Sequence, residues 1–517
     1  MADVVGEADP RFMHGDSGST TSIWMSGIDI PVRPALERDI GADVCIVGAG
    51  IAGLSTAYHL LERGRGVVVL DDGPLGGGET CRTSAHLSNV LDDRFTRLER
   101  LHGALGARLA AESHGEAIDA IERLVTARRI DCGFERVDGY LFSPPGESPQ
   151  VLEDELEAAR RAGLKAGTLP RVPMTHYDTG PALRFPRQAQ FHPLRYLEGL
   201  AEAIEEAGGR IFTGAHAVAF HGGRDAHVKT AGGATVAARA VVVATNTPVN
   251  DRVTIHTKQA AYRTYMVGLV VPRGSVKRAL MWDTADPYHY VRTEARDDAS
   301  EVLLVGGEDH RTGQSSGGDA RFARLEAWAR ARFPFAQETV FRWSGQVMEP
   351  VDGLAFIGRN PGDDDNVYVA TGDSGHGLTH GTIAGLLISD LITGRRNPWA
   401  DLYDPSRKSV RAVPEYAREN VRSQVGYGGW VTGGEVDSID EIPPGHGAIV
   451  RRGLAKLAIY RDDSGRIFER SAVCPHLGCI VGWNKTERTW DCPCHGSRFA
   501  PDGHVVNGPA MTGLHEE

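Results

Sequence analysis

The chain has 517 residues, 41% hydrophobic and 24% charged, with a net charge of −12 and a pI near 5.9. That length exceeds a single hydrophobic core and calls for about two to four domains. The acidic balance argues against a nucleic-acid or anionic-membrane partner, either of which would demand a basic patch.

Residues 1–40 read as an N-terminal extension, without the basic start and apolar stretch of a secretory signal. No apolar run reaches the roughly 18–20 residues of a membrane span. Seven cysteines, four of them between positions 474 and 494, do not make a secreted disulfide framework. A cytoplasmic location is therefore expected.

Val44 to Val47 is a short apolar run of the kind buried on both faces in a parallel sheet. Gly48, Gly50 and Gly53 follow with G-x-G-x-x-G spacing, and Leu54 to Leu61 repeats apolar residues at helical period. Val67 to Leu70 reads as a second buried strand, ended by Asp71 and Asp72. Gly48 permits the tight turn, Gly50 lets backbone approach a pyrophosphate, and Gly53 lets helix and strand pack closely. The helix opening at Ile51 and Ala52 offers N–H groups and a partial positive charge to phosphates. Asp71 is placed to accept from a ribose hydroxyl, which favours an adenosine without a 2′-phosphate. The fingerprint alone does not separate FAD from NAD.

Further motifs make that separation: GGGETCRTSAHL (76–87), QAQFHPLRYLEGLAEAIEEAGGRI (188–211), AVVVATN (240–246), WSGQVMEPVDGLAFIG (343–358) and VYVATGDSGHGLTHGTIAGLLISDL (367–391). Together with the fingerprint they resemble the D-amino-acid oxidase family of FAD enzymes, from about residue 40 to 400. The resemblance implies FAD and an α/β Rossmann-like FAD-binding domain (41–135, 186–258 and 342–400). An α+β antiparallel-sheet substrate domain (136–185 and 259–341) would accompany it. Strand-like runs Tyr262 to Val271, Tyr288 to Arg292 and Val302 to Gly306 agree with the second assignment.

Carried over by position, Thr80, Arg82, Thr83 and Ser84 fall in the loop that passes the pyrophosphate and ribityl chain. Val218, Ala244 and Thr245 are further cofactor positions, with Asn246 where the family usually has glycine. Gly372, Gly375, His376, Gly377, Leu378 and Thr379 match the helix start that faces the flavin, where a helix N-terminus stabilises negative charge. Candidates for contacting substrate are Arg263, Tyr265, Tyr288, Tyr290 and Arg292, with Gln346 and His376 from the FAD side. An arginine there would clamp a carboxylate bidentately. Asp373, His376 and His380 also approximate a two-histidine, one-carboxylate iron site. Their place in a glycine-rich strand-to-helix turn favours flavin binding.

Residues 401–430 are polar, charged and broken by prolines, and read as a linker. From 431 to 517 the pattern becomes short strands and turns, a small all-β domain. There Cys474-x-His476 is followed, fifteen residues later, by Cys492-x-x-His495. Zinc is one candidate for clustered Cys and His. One thiolate and one imidazole on each of two loops is what a Rieske [2Fe–2S] centre needs. CPHLGC and CPCHGS resemble the Rieske proteins of cytochrome bc complexes. The resemblance implies Cys474, His476, Cys492 and His495 as cluster ligands and a disulfide between Cys479 and Cys494. Ser497 would donate to a sulfur, while Phe499 stands where those proteins often have Tyr. The implied potential lies below the top of the roughly −150 to +300 mV Rieske range.

Joining the two halves makes a converter from two-electron to one-electron chemistry. The expected function is oxidation of a C–N bond in a small amine or amino acid. Electrons would pass from flavin to cluster and on to an external acceptor (protein, quinone or oxygen). Two alternatives are a reductase-type electron carrier, which would need a second dinucleotide fingerprint, and a flavin-cluster redox sensor.

Overall fold

A computed structural model describes residues 18–250, 255–314, 317–408, 410–417, 419, 429–430 and 433–516. Residues 1–17 of the expected extension and 420–428 of the expected linker lie outside the described residues.

Strands Val44–Val47, Val67–Leu70 and Ala240–Val243 are buried along their whole length. They occupy the middle of a six-stranded sheet ordered 356–359, 367–371, 240–243, 44–47, 67–70, 210–212. All neighbours are parallel except the edge pair Phe356–Arg359 with Val367–Thr371. Covering of both faces explains why these strands read as unbroken apolar runs. Val47 lies in register with Leu70 and Val243, so three strand ends open at one level. In such sheets that edge is where ligands bind.

The second sheet has nine strands and is mostly antiparallel, built on Gln259–Pro272, Ser300–Arg311 and Thr339–Pro350. Strands Ala182–Gln190 and Thr339–Pro350 run through the expected boundaries at 186 and 342. Each is hydrogen-bonded along its length to this sheet, which decides its place in the fold. Tyr265, Val267, Leu269 and Val271 pack with Phe322 and Leu325 of the helix Gly318–Arg332, forming a core on one face. The period of two turns Thr264 to the other face.

The C-terminal domain is all-β, with a three-stranded sheet (446–452, 455–461, 467–471) and a four-stranded sheet (482–484, 489–491, 498–499, 505–507). Among the described residues, no helix is long and apolar enough to cross a membrane.

Candidate flavin and cluster sites

A cavity of about 290 Å³ opens at the ends of the parallel strands and continues to the second sheet. Gly48, Gly50, Ile51 and Ala52 line it with Asp71 and Asp72. Two glycines of this turn, Gly48 and Gly53, are sterically required. A Cβ on Gly53 would lie 1.8 Å from Gly48 O, and one on Gly48, at φ +109°, 2.3 Å from Ala244 O. Asp71 accepts from the backbone N–H of Ala49 and, at 2.9 Å, from that of Gly73. Burial, then neighbouring Asp72, pushes the Asp71 carboxyl up to about 7.

Thr80, Thr83 and Ser84 line the next stretch, facing Ala244 and Thr245. Thr80 Oγ1 accepts from Ile51 N–H at 3.3 Å, tying this loop to the helix start. Gly375, His376, Gly377 and Leu378 bring the N-terminus of helix Gly377–Ile392 to the wall. At the far end stand Trp282, Tyr288 and Tyr290, with Thr264 bonded to the Tyr290 hydroxyl at 2.8 Å.

Three residues that sequence reasoning missed join this end: His86, Asp92 and Trp282. His86 Nδ1 meets Ser84 Oγ at 2.9 Å, and its buried Nε2 has no partner. Burial, then Arg292, drives its pKa down to about 3, so the ring is neutral. Asp92 accepts from Tyr288 Oη at 3.0 Å and lies 3.3 Å from His376 Nε2. Burial pushes the Asp92 carboxyl up, but His376 and Tyr288 outweigh it and the net shift is downward. His86 lies in the quoted loop motif, and its parity with Ser84 was the available signal.

In the C-terminal domain, two loop tips meet. The rings of His476 and His495 pack edge to face at 5.0 Å. Cys474 and Cys492 are buried free cysteines on these tips, and Cys492 N–H donates to Ser497 O at 2.8 Å. Cys479, Cys492 and Cys494 sulfurs lie within 4.8 Å of one another. Cys479 and Cys494 are joined as a disulfide, which ties the loops together and leaves Cys492 with Cys474.

Residues 43–391 match the family described as FAD dependent oxidoreductase, and residues 433–516 match the Rieske [2Fe-2S] domain. The chain belongs to the FAD-dependent oxidoreductases and ends in a Rieske domain. It is 31% identical over 500 residues to the Rieske 2Fe-2S iron-sulfur protein YhfW of Bacillus subtilis (strain 168), covering 95% of this chain and 96% of that one. It is 29% identical over 374 residues to the gamma-glutamylputrescine oxidoreductase of Escherichia coli (strain K12), covering 69% and 85%. Glycine oxidase from Geobacillus kaustophilus shares the fold, with a TM-score of 0.59 at 20% identity over 71% of this chain and 99% of its own.

The cavity fits FAD on its own evidence. Buried polar atoms His86 Nε2, Asn246 Nδ2 and Asn507 Oδ1 belong to lining residues and have no protein partner. The tips fit a Rieske cluster: two thiols, two imidazoles, and a buried His495 Nδ1 without a partner. A neutral ring suits a ligand, and burial, then His476, lowers the His495 pKa to about 3.

Several expected contacts fall elsewhere. Arg263 and Tyr265 lie on the strand face opposite Thr264 and do not line the cavity. Tyr265 packs in the substrate-domain core against Phe322. Arg292 is fully buried, donating to Ala85 O at 2.8 Å and pairing with Glu294 under the Trp24 ring. Arg82 borders the cavity, but its guanidinium turns away to Gly18 O, Ser344 O and Glu487. The Val218 side chain is 42% exposed, whereas Ala217 and Phe220 of the same strand line the cavity. Gly53, Gly372 and Thr379 lie behind the wall, Thr379 bonded to His114. The iron reading fails at His380, whose Nδ1 donates to Asp373 O at 2.8 Å while its Nε2 faces His114 at 3.2 Å.

The Rieske domain is docked on the flavin half. Gln346, a cavity residue, donates through Nε2 to Gly496 O at 3.1 Å, one residue beyond His495. His256, 2% exposed, places its ring 5.0 Å from that of His476 and 6.0 Å from that of His495. Nearby, buried Glu487 of the Rieske domain pairs with Arg82 at 3.4 Å and Arg263 at 3.3 Å. It also accepts from Ser344 Oγ and from Thr20 Oγ1 at 2.6 Å. Burial opposes its charge, but Arg82, Arg263 and Arg498 prevail and hold its pKa down at about 2.

Proposed function

We propose that the protein oxidises a C–N bond of a cationic amine and passes the electrons through its Rieske cluster to an external one-electron acceptor. The observation that carries this reading is Gln346, which borders the flavin cavity and is bonded to the cluster loop at Gly496. When bound, FAD supplies the acceptor for a hydride from the carbon next to nitrogen, and the cluster supplies a one-electron outlet. The amine gives up a hydride and a proton to become an imine, which water hydrolyses to a carbonyl compound and a smaller amine or ammonia. Two reducing equivalents leave, one at a time, to two turnovers of the acceptor.

The residues at the far end favour a cation. Arg263 and Arg292, which would clamp a substrate carboxylate, are occupied outside the cavity. Among the described residues at that end, Asp92 offers a carboxylate held ionised, and Tyr288, Tyr290 and Trp282 offer ring faces that attract ammonium groups. The neutral imidazole of His86 can accept a hydrogen bond from a substrate N–H at its unpartnered Nε2. Similarity to the Escherichia coli gamma-glutamylputrescine oxidoreductase supports an amine donor.

Anaerobic mixing with amines, amino acids and NADH tests the reading. Amine alone should bleach the flavin and then the Rieske absorbance, with the EPR signal of the reduced cluster appearing in the second phase. Bleaching by NADH alone would establish the carrier, and no bleaching by any donor would establish the sensor.

A further inference from the structure

The cluster domain does more than receive electrons: its last strand walls the flavin site. Val505, Val506, Asn507, Gly508 and Met511 all line the same cavity as Gly48 and Asp71, although they lie more than 400 residues away in the chain. Contact is close. A Cβ on Gly508 would lie 2.9 Å from Val249 Cγ1, in the segment that follows the central strand Ala240–Val243. Asn246 of that segment, held at φ +62°, and Asn507 of the cluster domain each bury a polar side-chain atom, Nδ2 and Oδ1. Neither atom has a hydrogen-bond partner, and both residues line the cavity. Leaving a buried polar atom unmatched costs about 1–3 kcal/mol. Two such atoms lining one cavity, from two segments that touch each other, mark positions that a polar ligand fills.

We propose that the FAD site is shared between domains, with the 505–511 segment of the Rieske domain forming one wall and Asn507 making a direct polar contact to the dinucleotide. This rests on the FAD assignment and not on the amine reaction or the electron route. The wall is fixed to the cluster loop. Strand Val505–Asn507 pairs with Arg498–Phe499, and Ala510 N–H donates to Ser497 Oγ at 3.1 Å. Ser497 O in turn accepts from the backbone N–H of Cys492 at 2.8 Å. Cluster loop and cofactor wall therefore move as one piece, and flavin retention is coupled to the fold of the Rieske domain.

The test uses the full chain, freed of flavin with its cluster intact by EPR, titrated with FAD and followed by quenching of flavin fluorescence. Asn507→Ala should weaken FAD binding about tenfold, the loss of one well-placed hydrogen bond. Asn507→Asp should weaken it further, because a carboxylate would face a dinucleotide that carries two phosphate charges. His504→Ala, at the exposed position just before that segment, should leave affinity unchanged. In the unaltered protein, adding FAD should slow amide hydrogen exchange across 505–511. FAD affinity within twofold of wild type in both Asn507 variants overturns the proposal. Unchanged exchange across 505–511 overturns it independently, whatever the variants do.

Discussion

Gln346 Nε2 donates to Gly496 O across the junction of the two halves, 3.1 Å from donor to acceptor. The glycine is required there, since a Cβ at position 496 would lie 2.3 Å from Ala261 Cβ. Thr312 Oγ1 donates to Gln346 Oε1 at 3.2 Å and fixes which way the amide points. Gln346→Leu should keep both chromophores and leave flavin reduction within twofold. Cluster reduction should slow by about tenfold, the kinetic equivalent of one lost hydrogen bond. Stopped-flow absorbance at flavin and cluster wavelengths reads the two phases separately. Equal slowing of both phases would show that Gln346 acts on the chemistry and not on the junction.

Glu487 is the buried charge that fastens the Rieske domain. Replacing it with Gln leaves Arg82 and Arg263 buried without their counter-charge, which costs about 3–5 kcal/mol. The Glu487→Gln protein should lose the docked arrangement, read as increased small-angle scattering dimensions with the Rieske EPR signal retained.

The same residue sets an acid limit. Its folded pKa, about 2, lies below the 4.5 of a free glutamate, so its contribution is complete above about 4.5. As pH falls from 4.5 toward 2 that contribution is lost. Docking in the wild-type protein should weaken over that window, and the Glu487→Gln protein should lack this acid-dependent step.

Asp92 faces the far end of the cavity with its charge supported by His376 and Tyr288. Asp92→Asn should raise KM for cationic amines by about tenfold to a hundredfold, the range of one charge-assisted hydrogen bond. Neutral amide analogues used as competitive ligands should bind with unchanged affinity. An equal loss for both ligand types would remove Asp92 from cation recognition.

The Cys479–Cys494 disulfide closes a loop spanning 15 positions between the two cluster tips. A closure of that length contributes about 3 kcal/mol in the chain-entropy account. Cys479→Ala with Cys494→Ala should lower the temperature at which Rieske absorbance is lost while leaving the flavin half unchanged at matched FAD saturation. Differential scanning with both chromophores monitored checks this.

Local chemistry was legible along the chain. The glycine turn, Asp71, the buried apolar strands and the four cysteines with two histidines announce themselves because their spacing is set by neighbours in sequence. The sheet boundaries were less so, since strands Ala182–Gln190 and Thr339–Pro350 owe their places to partners far away. Arg263 and Arg292 show the limit most clearly. A guanidinium on a strand reads as a substrate clamp until its face is known, and one residue of register sends Thr264 to the cavity and Arg263 to Glu487.

By itself the sequence determined two cofactor chemistries, because each depends on a short run of residues whose mutual positions the backbone enforces. Only the tertiary structure decided how they meet. Arg82, Arg263 and Glu487 converge from three distant segments, Gln346 reaches Gly496, and Val505 to Met511 close a cavity opened by Gly48. Those contacts come from the packing of one domain's surface on another, and no local pattern encodes that geometry.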